Sequence, residues 1–177
     1  MPDKFPICPG HTLIISKDHL ACYGAAMSDL QRELEDAAAQ ARRFLGEAYG
    51  HPLLIWENGV SGQSVHHAHL HLMPMPIESL PADLDTHADV TPIDGWTAVG
   101  ERYTQDGHYR YLELSGARRL LRGHTPALGH VVRMMSQATG LRYGHRGWIK
   151  TTTPDDVAEV ARRFRAWRAG NPQITKE

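Results

Sequence analysis

The sequence predicts an α+β fold in which an antiparallel β-meander is packed with helices on one side and followed by a C-terminal α/β extension. Three observations carry this expectation. Residues 67–72 alternate His with Ala or Leu, the period of an extended strand. Residues 28–49 carry an apolar stripe at helical spacing between a Ser and a Gly. The second half holds a hairpin pattern around Ser115-Gly116 and two helical patterns, each opened by a Thr-Pro pair.

The chain of 177 residues suits one domain with a sizeable core. It is expected to hold a core over 1–76, an acidic linker over 77–107 and an extension over 108–177, the last two set apart by their charge. A formal net charge of −1 gives no whole-molecule attraction for nucleic acid or a membrane surface. Cys8 and Cys22 are too few for a disulfide framework or a four-Cys zinc site, which points to a reducing compartment. The start lacks a basic region followed by an apolar run, and no segment approaches the ~20 apolar residues of a membrane span. The expected location is cytoplasmic.

In order along the chain, Leu13 to Ser16 reads as a strand entered through the Pro9-Gly10 turn. Ser28 is expected to cap a helix, with Gln31 three residues on completing a capping box. Leu30, Leu34, Ala37, Ala41, Leu45 and Ala48 form its apolar stripe, and Gly50 ends it. Leu53 to Trp56 is a short apolar run bounded by Pro52 and an Asn58-Gly59 turn, hence a buried strand leading into a loop. That loop places Asn58, Gln63 and Ser64 near one end of the next strand, where amide and hydroxyl groups could hold phosphate oxygens.

On that next strand His67, His69 and His71 are expected to share one face, while Ala68, Leu70 and Leu72 line the other as core. Stacking imidazoles has no structural rationale, whereas His exchanges protons near neutral pH and attacks electrophiles. Zinc is the competing use. A strand rises roughly 3.3 Å per residue, so His67 and His71 start about 13 Å apart, against a zinc–nitrogen bond of about 2.0–2.1 Å. One ion cannot readily collect all three, although a neighbouring pair with a third ligand from elsewhere could bind metal.

Residues 78–106 are acidic and Pro-containing and read as a surface-crossing linker. From His108 to Lys150 the balance reverses, with Arg110, Arg118, Arg119, Arg122, Arg133, Arg142, Arg146 and Lys150 facing only Glu113, so the two stretches could neutralise each other. Tyr109 to Leu114 and Arg119 to Arg122 read as the hairpin. Thr125-Pro126 opens a helix packed through Leu128, Val131, Val132, Met135 and Ala138 and ended by Gly140. Thr153-Pro154 opens another, with Val157, Val160, Ala161, Phe164 and Trp167 as its apolar face and Gly170-Asn171-Pro172 as its stop.

The run His67-Ala68-His69-Leu70-His71-Leu72-Met73, preceded by Gly62-Gln63-Ser64, resembles the histidine triad (HIT) signature. Upstream, Pro9-Gly10-His11-Thr12-Leu13-Ile14-Ile15-Ser16-Lys17 is similar to the PGH-apolar-PK strand of the same family. The resemblance covers roughly the first 76 residues and implies a HIT-like fold. The C-terminal half more weakly resembles the extension on an uncharacterised branch of HIT-like proteins.

The family resemblance implies a nucleotide hydrolase acting on nucleoside phosphoramidates or other nucleotidyl bonds. His69 would attack the α-phosphorus to form a nucleotidyl-histidine intermediate. It assigns His67 to orienting His69, His71 to the phosphate or bridging oxygen, Ser64 to the leaving group, and Gln63 and Asn58 to phosphate oxygens. His11 would orient the triad or serve as a structural residue. Asp3 falls near the place of a ribose-binding carboxylate, although so close to the start of the chain it is expected to be mobile. Relatives carry a further stretch before the PGH strand, often with a Cys-x-x-Cys pair, which helps build the base and ribose pocket; this chain begins almost at that strand. No cofactor is implied, a divalent metal arriving only with the nucleotide, and the expected assembly is a homodimer. Two other readings stand beside this one: a nucleotidyltransferase or phosphorylase using the same intermediate, and a non-catalytic nucleotide- or metal-binding module.

Overall fold

The computed structural model of the chain describes residues 1–4, 6, 8–60, 62–63, 65–76, 89–122 and 154–172. Its strands β1 (Thr12–Ile15), β2 (Leu53–Gly59), β3 (His69–Pro74), β4 (Asp89–Pro92), β5 (Tyr109–Leu114) and β6 (Ala117–Arg122) form one six-stranded sheet in the order β1-β3-β2-β5-β6-β4. All of its pairings are antiparallel. A short 3-10 turn at Tyr23–Ala25 and helices α1 (Ser28–Tyr49), α2 (Trp96–Asp106) and α3 (Pro154–Gly170) complete the described elements. The α+β class expected from the sequence is the one observed.

One face of the sheet forms the core. Leu70 and Leu72 of β3, Ile55 of β2, Tyr109 and Tyr111 of β5 and Leu120 of β6 pack with Leu34, Ala38, Phe44 and Leu45 of α1, Trp96 and Val99 of α2 and Val160 of α3. Leu70 and Leu72 are shut off from water, at 1% and 0% exposure. Each such side chain contributes about 1.5–3 kcal/mol of transfer free energy. Burying this row fixes the strand's register, because a slip of one residue would turn His69 and His71 inward.

Two glycines let the chain pass close to this frame. Gly10 sits at φ +87°, and a Cβ there would come 2.6 Å from Pro74 Cγ and 2.8 Å from the Tyr49 ring. Only Gly tolerates both demands, so the turn just before His11 is set by residue type. A Cβ on Gly59 would lie 2.4 Å from the Tyr109 ring. Tyr109 therefore lies against the end of β2.

Several expectations need correction. Ser28 is the first helical residue, not the cap. Met27 occupies the cap position with no side-chain hydrogen bond, and the Gln31 amide instead donates to the Ala26 carbonyl at 3.1 Å. The helix does end as expected, at left-handed Gly50 (φ 66°), whose N–H donates to Gly46. Asn58 and Gly59 are not a turn but the last residues of β2, held by pairing with Arg110 and Tyr109 of β5.

The largest correction concerns residues 89–106, expected to be linker, which form β4 and α2. Trp96 and Val99 are buried and Tyr103 packs against the core, so this acidic segment has an apolar helical face. The Trp96 ring stacks on Tyr111 with centroids 4.7 Å apart. Charge attracted the linker reading, but the charges of Glu101 and Asp106 point outward. Residues 77–88 and the helix expected over 125–140 lie outside the described residues.

Nor does the structure pair Arg118 with an acidic side chain of that segment. Its guanidinium bonds Glu35 of α1 at 2.6 and 2.9 Å, lies 3.6 Å from Glu113, and reaches the acidic stretch only at the Asp94 backbone carbonyl. Glu113, on the core face, also accepts two bonds from Arg42 (2.9 and 2.7 Å) and one from Tyr111 (2.7 Å). A buried carboxylate is tolerated here because its lone pairs are filled. The hairpin of β5 and β6 and helix α3 appear where the sequence placed them. Phe164 and Trp167 of α3 pack on Phe44 of α1, with ring centroids 5.1 and 5.6 Å away.

Candidate active site

His69 and His71 project from the sheet face opposite the core. Across β1, Ile15 is the partner of His69 and Leu13 that of His71; across β2, Trp56 is the partner of His71. The Trp56 and His71 ring centroids are 4.8 Å apart, and those of His69 and His71 4.9 Å. His67 lies one step short of β3, contrary to the expectation of three His on one regular strand. The backbone there is diverted. Ala68 donates its N–H to the Leu20 carbonyl at 2.7 Å and its carbonyl accepts from Ser16, so the segment is tied to the turn after β1.

Backbone carbonyls fix two tautomers. A carbonyl oxygen can only accept, so a ring nitrogen bonded to one must carry a proton. His69 Nδ1 lies 2.6 Å from the His67 carbonyl, so the proton of neutral His69 is on Nδ1 and the lone pair is on Nε2. His67 Nε2 likewise donates to the Ser16 carbonyl at 2.8 Å, with the Ser16 hydroxyl 3.1 Å away. That hydroxyl is itself oriented by donating to Asp18 at 2.8 Å. His67 thus orients His69 through its carbonyl, while its own ring is turned to Ser16 and edge-on to His19.

His11 enters from the turn before β1. Its Nε2 is 2.9 Å from His71 Nδ1, and at 1% exposure it is the most buried imidazole of the site. Burial pushes its pKa down to about 3. His71 is also held well below the ordinary value, first by burial and then by the neighbouring His11 and His69, with Asp3 opposing. Both rings are therefore neutral near pH 7, and one shared proton lies between them.

Asp3 is placed by pairing rather than left to wander. Its N–H donates to the His11 carbonyl at 3.1 Å, Pro2 bridges to Thr12, and its Oδ2 lies 3.6 Å from His11 and 3.8 Å from His71. Asp3, His11 and His71 together offer three ligand atoms within 4.8 Å of one another, a spacing that could accept one divalent ion. The metal alternative thus moves away from neighbouring triad members to His71, Asp3 near the start of the chain and His11 in the turn before β1.

The remaining candidates separate. Asn58 is half-buried on β2, on the His face and opposite Arg110 of β5. Gln63 donates its amide to the Ala21 carbonyl at 2.8 Å, and its Oε1 is buried without a partner. That bond ties the loop to the turn after β1. Ser64 lies outside the described residues.

Two residues that the sequence did not single out stand beside the triad. Trp56 covers one side of His71, and its place two residues before Asn58 on one strand face was the available signal. Arg110 lies on β5 beside Asn58 and was legible only as one member of a basic stretch.

The fold and this face define an antiparallel α+β protein that carries a row of imidazoles, two of them oriented by backbone carbonyls and one by a second histidine. Residues 1–76 match the family model of the HIT domain. An uncharacterized 16.1 kDa HIT-like protein of Mycoplasma pneumoniae is 33% identical over 79 residues, covering 41% of this chain and 52% of that protein. The chain spans about half the length of this curated relative. Among solved structures, yeast Ap4A phosphorylase in complex with AMP aligns with a TM-score of 0.46 at 16% identity, over 79% of this chain and 67% of the other.

Proposed function

We propose that the protein cleaves a nucleotide at its α-phosphate through a covalent nucleotidyl intermediate on His69. The observation that carries this is the 2.6 Å bond from His69 Nδ1 to the His67 carbonyl. It leaves Nε2 unprotonated and ready to attack without a separate base. As Nε2 forms its bond to phosphorus, the leaving group departs with the electron pair of the broken bond. The ring gains positive charge, which the His67 carbonyl already faces.

His71 meets the oxygens that gain charge. With Nδ1 occupied by His11, its other nitrogen faces the site. If His11 donates its Nε2 proton, neutral His71 carries a proton on Nε2 and donates to the phosphate or bridging oxygen. A water oxygen then attacks phosphorus, the P–N bond breaks, and its electron pair returns to His69 Nε2, releasing the nucleoside monophosphate. Another acceptor in place of water makes the same intermediate a transferase step. In this reading Asn58 would meet the phosphate from β2, Asp3 would meet the ribose hydroxyls, and Ser64 would assist the leaving group.

No cofactor enters this scheme, and a divalent ion arrives only with the nucleotide phosphates. The same reading carries a homodimer and a cytoplasmic location, the latter supported by two free, buried cysteines, Cys8 and Cys22. Among the described residues no helix is long and apolar enough to cross a membrane. The test is a screen of nucleoside phosphoramidates, dinucleoside polyphosphates and nucleotide sugars, with products identified by mass, repeated with added phosphate or sugar phosphate as acceptor. Release of a nucleoside monophosphate supports hydrolysis, and a new nucleotide product supports transfer. No turnover of any class contradicts the proposal.

A further inference from the structure

Among the described residues, no counter-charge accompanies the buried cation Arg110. Only 9% of its surface is exposed, its Nε is buried without a hydrogen-bond partner, and among the described residues no ion pair or hydrogen bond holds its guanidinium. The other core-edge arginines are treated differently: Arg118 is bound to Glu35, and Arg42 to Glu113. Burying a charge is costly unless it is paired, so a guanidinium kept in this state implies a partner that comes and goes.

Its position says which partner. Arg110 is opposite Asn58 in the β2–β5 register, and two residues back along β2 Trp56 is opposite His71 of β3. Arg110 therefore shares a sheet face with His69 and His71, two strands away at about 4.7–4.9 Å per strand. Its Nη2 comes 3.6 Å from where a side chain on Gly62 would begin, so the guanidinium lies against the loop that leads into the triad. Gly62 has φ +83°, a left-handed conformation that favours Gly, and a Cβ there would make only ordinary contact with the guanidinium.

We propose that Arg110 receives an anionic leaving group of the substrate, a phosphate or phosphate monoester attached to the nucleotide's α-phosphate. This deepens the function proposed above and rests on it for the identity of the reacting bond. A guanidinium fork matches two phosphate oxygens with parallel donors, which suits a charge lying beside the phosphorus under attack. The substrate class favoured by this geometry is a nucleotide sugar or polyphosphate rather than a phosphoramidate, whose leaving amine offers Arg110 no negative charge.

The test has a binding arm and a kinetic arm, using wild type, Arg110→Gln and Arg110→Lys. Pyrophosphate titrated by calorimetry should bind the wild type and raise its Tm. Arg110→Gln should lose both effects, and Arg110→Lys should bind more weakly, because it keeps the charge but not the fork. In the kinetic arm, the ratio of kcat/KM for a nucleoside diphosphate sugar to that for a nucleoside phosphoramidate should fall about 100-fold in Arg110→Gln. Equal pyrophosphate binding by wild type and Arg110→Gln overturns the proposal, as does an unchanged ratio. If no nucleotide turns over yet pyrophosphate binding still depends on Arg110, the anion site stands and the reaction assigned to His69 falls. If Arg110→Gln does not fold, the Arg110→Lys titration decides: affinity equal to wild type overturns the proposal, and weaker binding supports it.

Discussion

His11 Nε2 lies 2.9 Å from His71 Nδ1, so a residue of the first turn shares one proton with the last triad histidine. Sixty positions separate them in sequence, and the β1–β3 pairing from Thr12↔Leu72 to Ile15↔His69 brings them together. The candidate site is thus two segments brought together only once the sheet forms.

The first prediction follows from that bond. His11→Phe keeps an aromatic ring in the buried space but removes the hydrogen bond to His71. We expect kcat to fall about 10- to 100-fold with a smaller change in KM, because the lost interaction serves charge that develops during reaction. Steady-state kinetics check this. An unchanged kcat would remove His11 from the mechanism.

The same pair shapes stability against pH. His11 and His71 have folded pKa values below the ordinary 6.5, that of His11 about 3. In the unfolded chain they take up protons as pH falls below about 6.5, whereas in the folded chain they resist. Their contribution to stability is present above that pH and is lost as pH falls toward the folded values. Denaturant unfolding from pH 7 to pH 4 should show stability falling for the wild type and falling less for His11→Phe. Parallel curves would contradict the burial account.

Glu57 acts in the opposite direction. It is fully buried on the core face, accepting from the Tyr23 N–H at 2.8 Å and from the Tyr109 hydroxyl, which in turn accepts from the Gly24 N–H at 2.7 Å. Burial raises its pKa to about 7 despite the opposing hydrogen bonds from Tyr109 and Tyr23. A raised folded pKa means that its contribution is fully present below the unfolded value near 4.5 and is lost as pH rises through about 7. The stability difference between wild type and Glu57→Gln should therefore shift against the wild type from pH 4.5 to 7 and level off above. A difference independent of pH would contradict it.

Glu113 and Arg118 test whether the basic C-terminal half extends the phosphate site. Glu113→Gln weakens the pairing of Arg42 and Arg118 with a buried carboxylate and should cost about 3 kcal/mol of stability. Arg118→Ala should lower Tm while leaving substrate affinity and its salt dependence unchanged, since Arg118 bonds Glu35 on the core side of the sheet. A salt-dependent loss of affinity in Arg118→Ala would restore it to the site.

Much of this frame was legible. The period of two at residues 67–72, the stripe of α1, the Ser115-Gly116 hairpin and the apolar face of α3 each follow from local pattern. Helix α2 was hidden because acidic residues dominate its segment, although Trp96, Val99, Gly100 and Tyr103 already lie at helical spacing. The Ser28 capping box failed because the helix starts one residue earlier, with Met27 at the cap, and the Gln31 amide donates to the Ala26 carbonyl, a shift of one position that composition does not decide. Asp3 looked like a loose end because the bridge from Pro2 to Thr12 is a long-range pairing. Arg110 was not legible as a candidate site residue because its distinguishing feature, burial with no counter-charge among the described residues, exists only in the folded chain.

The central claim is a covalent bond from His69 to the substrate's phosphorus. Once the screen yields a substrate, turnover with label on the α-phosphate can be quenched within milliseconds and the protein digested for peptide mapping under conditions that spare P–N bonds. The account predicts a nucleotidyl adduct on His69, and its absence together with turnover in His69→Gly. An adduct on any other residue, or full activity in His69→Gly, would contradict it.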